Sequence, residues 1–392
     1  MQVAGNLIST LKTVHVTTDA AVNASRIMKE VFTQSRYILN SQSVVLATSL
    51  PTLNDVELVT NTIEIHRWKP RFVGWRGVPG SALLRKFSWV LECKQAILRE
   101  RPSLIVAHSV GTLLSAKLAS AQAKVPLIYD CHELETMATN ESRVLKVIFS
   151  VIERLLIRKV NAVIVVNDSI ADWYENEYGF RPYVLKAYPD ARWQSVDSDK
   201  TKFRSKFGIP ENDIIFLYQG LLSKGRRVEQ LIDVFEQAAS DRHLVFMGYG
   251  ELEPLVREAA SRCSRIHFHE AVPPDQLLHY TTSADVGISG VENTCLSYYY
   301  ALPNKIMEYI HAGIAVLSPD FPEMRKVVLE NKCGWVHEES TDSIRTQVNN
   351  LTKAEIAEKA ANSVVARSSL TWESQEHVLI EVIEKVLKTS VR

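Results

Sequence analysis

The sequence lacks any close pair of cysteines. Its five, Cys93, Cys131, Cys263, Cys295 and Cys333, are odd in number and far apart, with no C-x-x-C pair. A disulfide framework or zinc site is therefore not expected, and a reducing, cytoplasmic setting fits best. Net charge is also missing, since 45 Lys and Arg meet 45 Asp and Glu. That balance argues against a nucleic-acid coat, which carries a basic excess. No hydrophobic run is long enough to cross a bilayer uninterrupted. The most apolar stretch, Val144 to Val166, contains Lys146, Glu153, Arg154, Arg158 and Lys159, which would have to be buried as charges. The first thirty residues show no basic segment followed by an apolar core and a small-residue cleavage site, so no secretory signal is expected. The expectation is a soluble protein, at most peripheral on the inner face of the cell membrane. Internal repeats and low-complexity segments are absent too.

What is present is enough chain and enough apolar surface for two domains: 392 residues, 46% of them hydrophobic. Short runs rich in Val, Ile and Leu recur in the first half at Val14–Thr17, Val44–Ala47, Leu104–Ala107, Pro126–Tyr129 and Ala162–Val166. They are apolar almost throughout, as parallel strands covered on both faces require. Helical patterns separate them at Ala21–Phe32, Thr112–Ala123 and Ser142–Arg158. A second series runs through Ile214–Tyr218, Leu244–Met247, Ile266–Phe268, Val286–Ile288 and Ala315–Leu317. Helical patterns at Val228–Ala239, Glu251–Ser261, Asn304–Ala312 and Pro322–Asn331 alternate with these. The expected fold class is α/β, with two doubly wound Rossmann-like domains facing a central cleft, 1–190 and 191–371. The polar segment Tyr188–Lys200 is the expected hinge. In such sheets ligands bind beyond the carboxyl ends of the strands.

Candidate chemistry follows those strand ends. In Leu302-Pro-Asn-Lys-Ile-Met-Glu308, Pro303 suits the first turn of a helix. The exposed N–H groups there favour a diphosphate, together with Lys305. Glu308, one turn on, suits two vicinal ribose hydroxyls; a plain surface pair with Lys305 is equally compatible with the spacing. The segment Tyr218-Gln-Gly-Leu-Leu-Ser-Lys-Gly-Arg-Arg227 carries Gly220 for close approach, with Lys224, Arg226 and Arg227 for phosphate. A solvated basic loop is the simpler alternative, and the spacing excludes a Walker loop. Gly248-Tyr-Gly250 is a second close-approach turn. In the first half, His108 and Asp130-Cys-His132-Glu follow strands, and a histidine there suits a ligand oxygen or a proton.

Between Ile65 and Leu91 there is no acidic residue. The stretch holds Arg67, Trp68, Lys69, Arg71, Trp75, Arg76, Arg85 and Lys86 among its bases and aromatics. An anionic membrane interface or a lipid-pyrophosphate acceptor suits that composition. An ordinary basic helix and loop does so as well, Ser81–Leu98 reading as an amphipathic helix.

Taken together, these segments resemble the retaining GT-B glycosyltransferases of family 4, of the bacterial capsule, O-antigen and exopolysaccharide type. The resemblance covers nearly the whole chain. It rests on Leu302–Gly313 with Pro322-Glu323, on Val272-Pro-Pro-Asp-Gln-Leu-Leu with Ser283-Ala-Asp-Val-Gly287, and on Tyr129–Leu134 with Glu153-Arg154. It implies sugar transfer from a UDP- or GDP-type nucleotide sugar to a glycan or lipid-linked acceptor, with no cofactor and no metal. Glu308 matches the ribose-binding glutamate, Arg226 and Lys305 the diphosphate-binding cations, and His132 the histidine beside the transferred sugar. Gly220, Lys224, Gly248, Leu302, Pro303 and Asn304 complete the implied nucleotide-sugar site, and 265–270 lie where the base is held. The first domain would take the acceptor, with the terminal helix Trp372–Leu387 packing back on it. Two departures stand out. Tyr300 occupies the place of a second glutamate eight residues before Glu308, with Glu292 as a possible substitute upstream. The glycine-rich loop of the first domain is replaced by Thr17-Thr-Asp-Ala-Ala21. A nucleotide-sugar epimerase-like activity, or an inactive nucleotide- or glycan-binding scaffold, remains compatible with the sequence.

Overall fold

A computed structural model describes residues 11–22, 25–70, 81–138, 143–191 and 199–390, with the backbone only of 81–85, 143 and 390. The chain divides into two compact units, Met1–Ala187 with Gln375–Arg392, and Tyr188–Ser374. No described helix is long and apolar enough to cross a membrane.

The first unit runs β1 (Leu11–Val16), α1 (Ser25–Tyr37), β2 (Ser41–Thr48), β3 (Val56–Thr60), β4 (Ile63–Trp68), α2 (Ser81–Arg99), β5 (Leu104–His108), α3 (Val110–Ala123), β6 (Leu127–Cys131), α4 (Arg143–Leu156), β7 (Ala162–Val165), α5 (Asp168–Tyr178) and β8 (Tyr183–Val184). The sheet order is β3-β4-β2-β1-β5-β6-β7-β8, parallel except that β3 runs antiparallel to β4. β5, β6 and β7 are buried at every residue, which is why they read as unbroken apolar runs. The chain leaves β1 toward β2 and later crosses to β5, so the strand order reverses beside β1. Right-handed crossovers put α2, α3 and α4 together on one face, where α3 packs against both its neighbours, while α1 packs against the terminal helix.

The second unit runs α6 (Thr201–Phe207), β9 (Ile214–Leu221), α7 (Val228–Glu236), β10 (Arg242–Tyr249), α8 (Glu253–Arg262), β11 (Ile266–Glu270), α9 (Leu277–Thr281), β12 (Val286–Ile288), α10 (Leu296–Tyr299), α11 (Asn304–His311), β13 (Ala315–Pro319), α12 (Pro322–Glu330), β14 (Gly334–His337), α13 (Thr341–Asn350) and α14 (Lys353–Ala366). α15 (Glu376–Ser390) then returns to the first unit. The sheet is parallel with the order β11-β10-β9-β12-β13-β14, reversing between β9 and β12. Two apolar cores flank it, one built around Phe216, Phe235 and Phe246 and the other around Phe203, Tyr309 and Met324.

Four strands were not expected from the sequence. β4 alternates buried and half-buried residues as Ile-Glu-Ile-His-Arg-Trp, so it lacks the continuous apolar run. β3 is exposed at Val56 and Leu58, β8 has two residues and β14 has four. α1 begins at Ser25 rather than Ala21, because Ala21 adopts a left-handed φ of 56° and its N–H is held by Asp19 Oδ1 at 2.8 Å. α15 begins four residues later than expected. Trp372–Ser374 form a separate 3-10 turn, with the buried Trp372 donating its N–H to the Pro189 carbonyl at 2.7 Å.

Candidate active site

At the carboxyl end of β9, Gln219 and Gly220 lie where the sheet order reverses. Gly220 takes φ 113°, and a Cβ on Gly248 of β10 would stand 1.9 Å from the Gly220 carbonyl oxygen. Only two glycines let these strand ends approach so closely. α11 is fixed onto β9 and β12 by Tyr309. Its hydroxyl lies 3.0 Å from the Leu217 carbonyl and 3.1 Å from that of Ile288, and accepts the Gln219 N–H at 3.2 Å. The neighbouring residue, Glu308, is thereby presented to Gln219, whose amide donates to Glu308 Oε2. Thr281 in turn donates to Gln219 Oε1 at 2.8 Å. Burial raises the Glu308 carboxyl above its ordinary value, against the opposing pull of Gln219 and Lys305. The i, i+3 spacing of Lys305 and Glu308 thus serves a half-buried cluster in which Glu308 hydrogen-bonds Gln219.

Lys305 places its ammonium 3.7 Å from the centroid of the Tyr218 ring and 3.8 Å from where a Cβ on Gly220 would stand. Burial, and then the nearby Arg226, push its pKa down to about 7, with Glu308 resisting. The Lys305 side chain is half-buried. Arg226 lies with its guanidinium carbon 4.8 Å from the Tyr298 ring centroid. Two cations with aromatic backing, Arg226 close enough to disfavour the charge of Lys305, form a site short of an anion. Pro303 is the N-cap of α11, not its first turn, and no side chain caps that end, so the N–H groups of Asn304 and its neighbours add their partial positive charge. Leu302 and Pro303 are half-buried against the same end, and Lys224 is exposed.

Three sequence expectations change here. Arg227, in the same basic loop, is buried and donates to the Val291 carbonyl, Gln230 and Glu339, so it holds the loop together. Arg265 lies before the amino end of β11 with its guanidinium on the carbonyls of Phe235 and Glu236; only the later residues of 265–270 reach the carboxyl end. Glu292 accepts the Arg227 N–H at 3.1 Å, which gives it a loop-holding task. The sequence has one Asp-x-Asp triplet, Asp197-Ser-Asp199, the spacing of a metal-binding carboxylate pair. Asp199 Oδ1 accepts the N–H and hydroxyl of Thr201, the first residue of α6, a local side-chain turn two residues long.

In the first unit, His108 and Asp130 are register partners at the ends of β5 and β6. Asp130 Oδ2 meets His108 Nδ1 at 3.0 Å and His132 Nε2 at 2.7 Å. Arg26 of α1 adds 2.8 Å and 3.2 Å contacts to the same carboxylate and a 3.1 Å ion pair to Glu30. Burial alone would raise the Asp130 carboxyl, but Arg26 and then His132 hold it well below its ordinary value. As an ionised acceptor it takes N–H from both histidines. His108 Nε2 is then an acceptor for His15 Nδ1 at 3.0 Å, and both rings stay neutral: burial lowers His15 to about 3 and His108 to about 4. His132 is thereby fixed with its proton on Nε2, leaving Nδ1 without a protein partner among the described residues. Glu30, Asp130, His108 and His132 also bring ligand atoms within 4.8 Å of one another. The Arg26 guanidinium already bridges the two carboxylates and supplies the positive charge there.

The sequence singled out His132, Glu308, Lys305, Arg226, Gly220 and Gly248. It did not single out Arg26, Glu30, His15, Gln219 and Thr281, which the structure places in contact with those residues or their neighbours. The basic surface expected between 65 and 91 is only partly described. Arg71, Trp75 and Arg76 lie outside the described residues, as does the side chain of Arg85. Arg67 is a correction: it is buried in β4 and donates to the carbonyls of Ala20 and Asn54 and to Glu57. Trp68 packs on Trp89 at 5.7 Å, while Lys69 and Lys86 are exposed.

Residues 39–189 match the family described as "Glycosyl transferase 4-like domain", and residues 199–367 match "Glycosyl transferases group 1". No curated protein matches the chain in sequence. Among solved structures, sucrose-phosphate synthase from Thermosynechococcus elongatus superposes with a TM-score of 0.77 at 14% identity, covering 97% of this chain and 100% of that one. Anabaena HepE in complex with UDP gives 0.71 at 15%, over 95% and 100%. The E. coli trehalose-6-phosphate protein bound with UDP-2-fluoro glucose gives 0.66 at 10%, over 96% and 99%.

Proposed function

The chain belongs to the GT-B glycosyltransferases, and we propose that it transfers a hexose, with retention, from a UDP- or GDP-type nucleotide sugar to a lipid-linked glycan in surface-polysaccharide assembly. One observation carries the donor half of this reading: Lys305, Arg226 and the uncapped end of α11 converge where Gln219 presents Glu308. Glu308 accepts hydrogen bonds from the ribose hydroxyls. Lys305, Arg226 and the α11 N–H groups take the charge that gathers on the leaving diphosphate as the sugar's anomeric bond breaks. The acceptor hydroxyl attacks the same face and passes its proton to the departing phosphate oxygen. His132, its tautomer fixed by Asp130, offers Nδ1 to a hydroxyl of the transferred sugar. These cations make a metal unnecessary. HepE structures with UDP and with UDP-glucose favour UDP as the nucleotide. A lipid-linked acceptor would hold the enzyme at the cytoplasmic membrane surface.

The product's anomeric configuration, read by proton NMR from a donor of known configuration, tests retention; an inverted product overturns it. Tyr300 favours a second reading, in which the chain binds nucleotide or glycan without turnover. Stabilisation by nucleotide, with no product across a donor and acceptor panel, would support that reading. Epimerase-like chemistry would instead isomerise the nucleotide sugar with no acceptor added.

A further inference from the structure

α4 is apolar on the side it shows to solvent. Val144, Val147, Val151 and Leu155 are 69%, 63%, 51% and 60% exposed, and their spacing puts them in one stripe along the helix. The opposite side holds the buried Glu153, which accepts the hydroxyls of Tyr129, Tyr174 and Tyr178. α4 is therefore seated in the fold by its inner side, and among the described residues its outer one has no partner. α2 carries Phe87 and Leu91 exposed, at 63% and 42%, and the Lys86 ammonium lies 5.6 Å from the Phe149 ring of α4.

The charge of the same three helices is one-sided. α2, α3, α4 and the turn Ile157–Lys159 hold ten Lys and Arg against two acids, Glu92 and Glu153. Glu153 is buried, Glu92 accepts the Ser88 hydroxyl at 2.6 Å, and Arg154 at the edge of the stripe pairs with Glu177. Lys117 of α3 donates to the Lys159 carbonyl at 2.5 Å, which brings basic side chains to the carboxyl end of α4. A chain of zero net charge thus carries an excess of eight positive charges on these elements, or seven once Glu177 of α5 is set against Arg154.

We propose that the outer face of α4, flanked by these bases, docks onto an anionic lipid surface. Aliphatic side chains that enter the interface and basic ones that meet headgroups are what such a surface requires. A second copy of this chain would bring two strongly positive faces together, and valines offer nothing for a nucleic-acid base to stack on. The inference rests on the lipid-linked acceptor proposed above for its purpose, and on α4 for its location.

The test uses the full chain, without donor or acceptor, in flotation with phosphatidylcholine vesicles, plain or containing about one-third phosphatidylglycerol. Flotation is expected only with the anionic vesicles. Val147→Glu with Val151→Glu, at exposed positions, should weaken partitioning by more than about tenfold, with the melting temperature and UDP binding unchanged. Lys86→Gln with Lys159→Gln should weaken it about fivefold per charge removed. No flotation of the wild type, or flotation indifferent to the valine changes, overturns the proposal. So does a wild-type dimer that those changes dissociate, because the face would then belong to a second copy. UDP binding measured in parallel keeps failure of the surface distinct from failure of the transferase reading.

Discussion

Lys305 should make nucleotide binding take up a proton. In the free protein its pKa is pushed down to about 7, by burial first and by Arg226 second. A lowered lysine is short of positive charge, and a bound diphosphate reverses the imbalance, drawing the pKa back toward about 10. At pH 8 only about one-tenth of free molecules carry the charge, whereas nearly all bound ones would, so binding takes up about 0.9 proton. Between about pH 7.5 and 9 the dissociation constant for UDP should therefore weaken by about tenfold per pH unit. Isothermal titration in two buffers of different ionisation enthalpy measures the uptake directly. Lys305→Met should abolish both the uptake and the slope and leave weaker, nearly pH-independent binding. A flat dissociation constant over that range, or the same uptake in Lys305→Met, would refute the reasoning.

Three other outcomes follow from named contacts. Gln219→Leu removes the donor that presents Glu308, while the Thr281 hydroxyl keeps the Leu277 carbonyl as acceptor; UDP binding should weaken by about tenfold while inorganic pyrophosphate binding stays unchanged, as competition titration would show. Gly248→Ala drives a methyl group into the Gly220 carbonyl; urea denaturation should show a loss above about 2 kcal/mol, with nucleotide affinity falling alongside. Glu153→Ala removes the acceptor of three tyrosine hydroxyls in the first unit, of which Tyr174 keeps another contact, with Cys131 Sγ, and should destabilise by about 2–5 kcal/mol in the same assay.

The sequence showed most clearly what depends on local pattern. Fully buried β5, β6 and β7 were visible as apolar runs, and Gly220, Gly248, Lys305 and Glu308 as residues beyond strands or at a helix start. What it hid depends on contacts between distant segments. Gln219 is an ordinary polar residue before a glycine until Tyr309 and Thr281 fix it beneath Glu308. Arg26 lies 104 residues from Asp130, yet it holds that carboxylate ionised and so sets the tautomer of His132. Arg67 misled for the complementary reason. Its place in a basic, aromatic stretch suggests a surface, whereas β4 buries it among carbonyl groups. The α4 stripe was legible only as an apolar segment broken by charges, since burial of the opposite side decides which residues face outward.

The central claim is that the Lys305–Arg226–Glu308 cluster carries a nucleotide sugar through transfer. Release of nucleoside diphosphate from a panel of UDP- and GDP-sugars, with and without lipid-linked acceptors, tests it most directly. The account predicts turnover with one donor class, stimulated by acceptor and slowed about a hundredfold to a thousandfold by Arg226→Ala. Equal rates in wild type and Arg226→Ala, or nucleotide binding with no turnover on any donor, would contradict it.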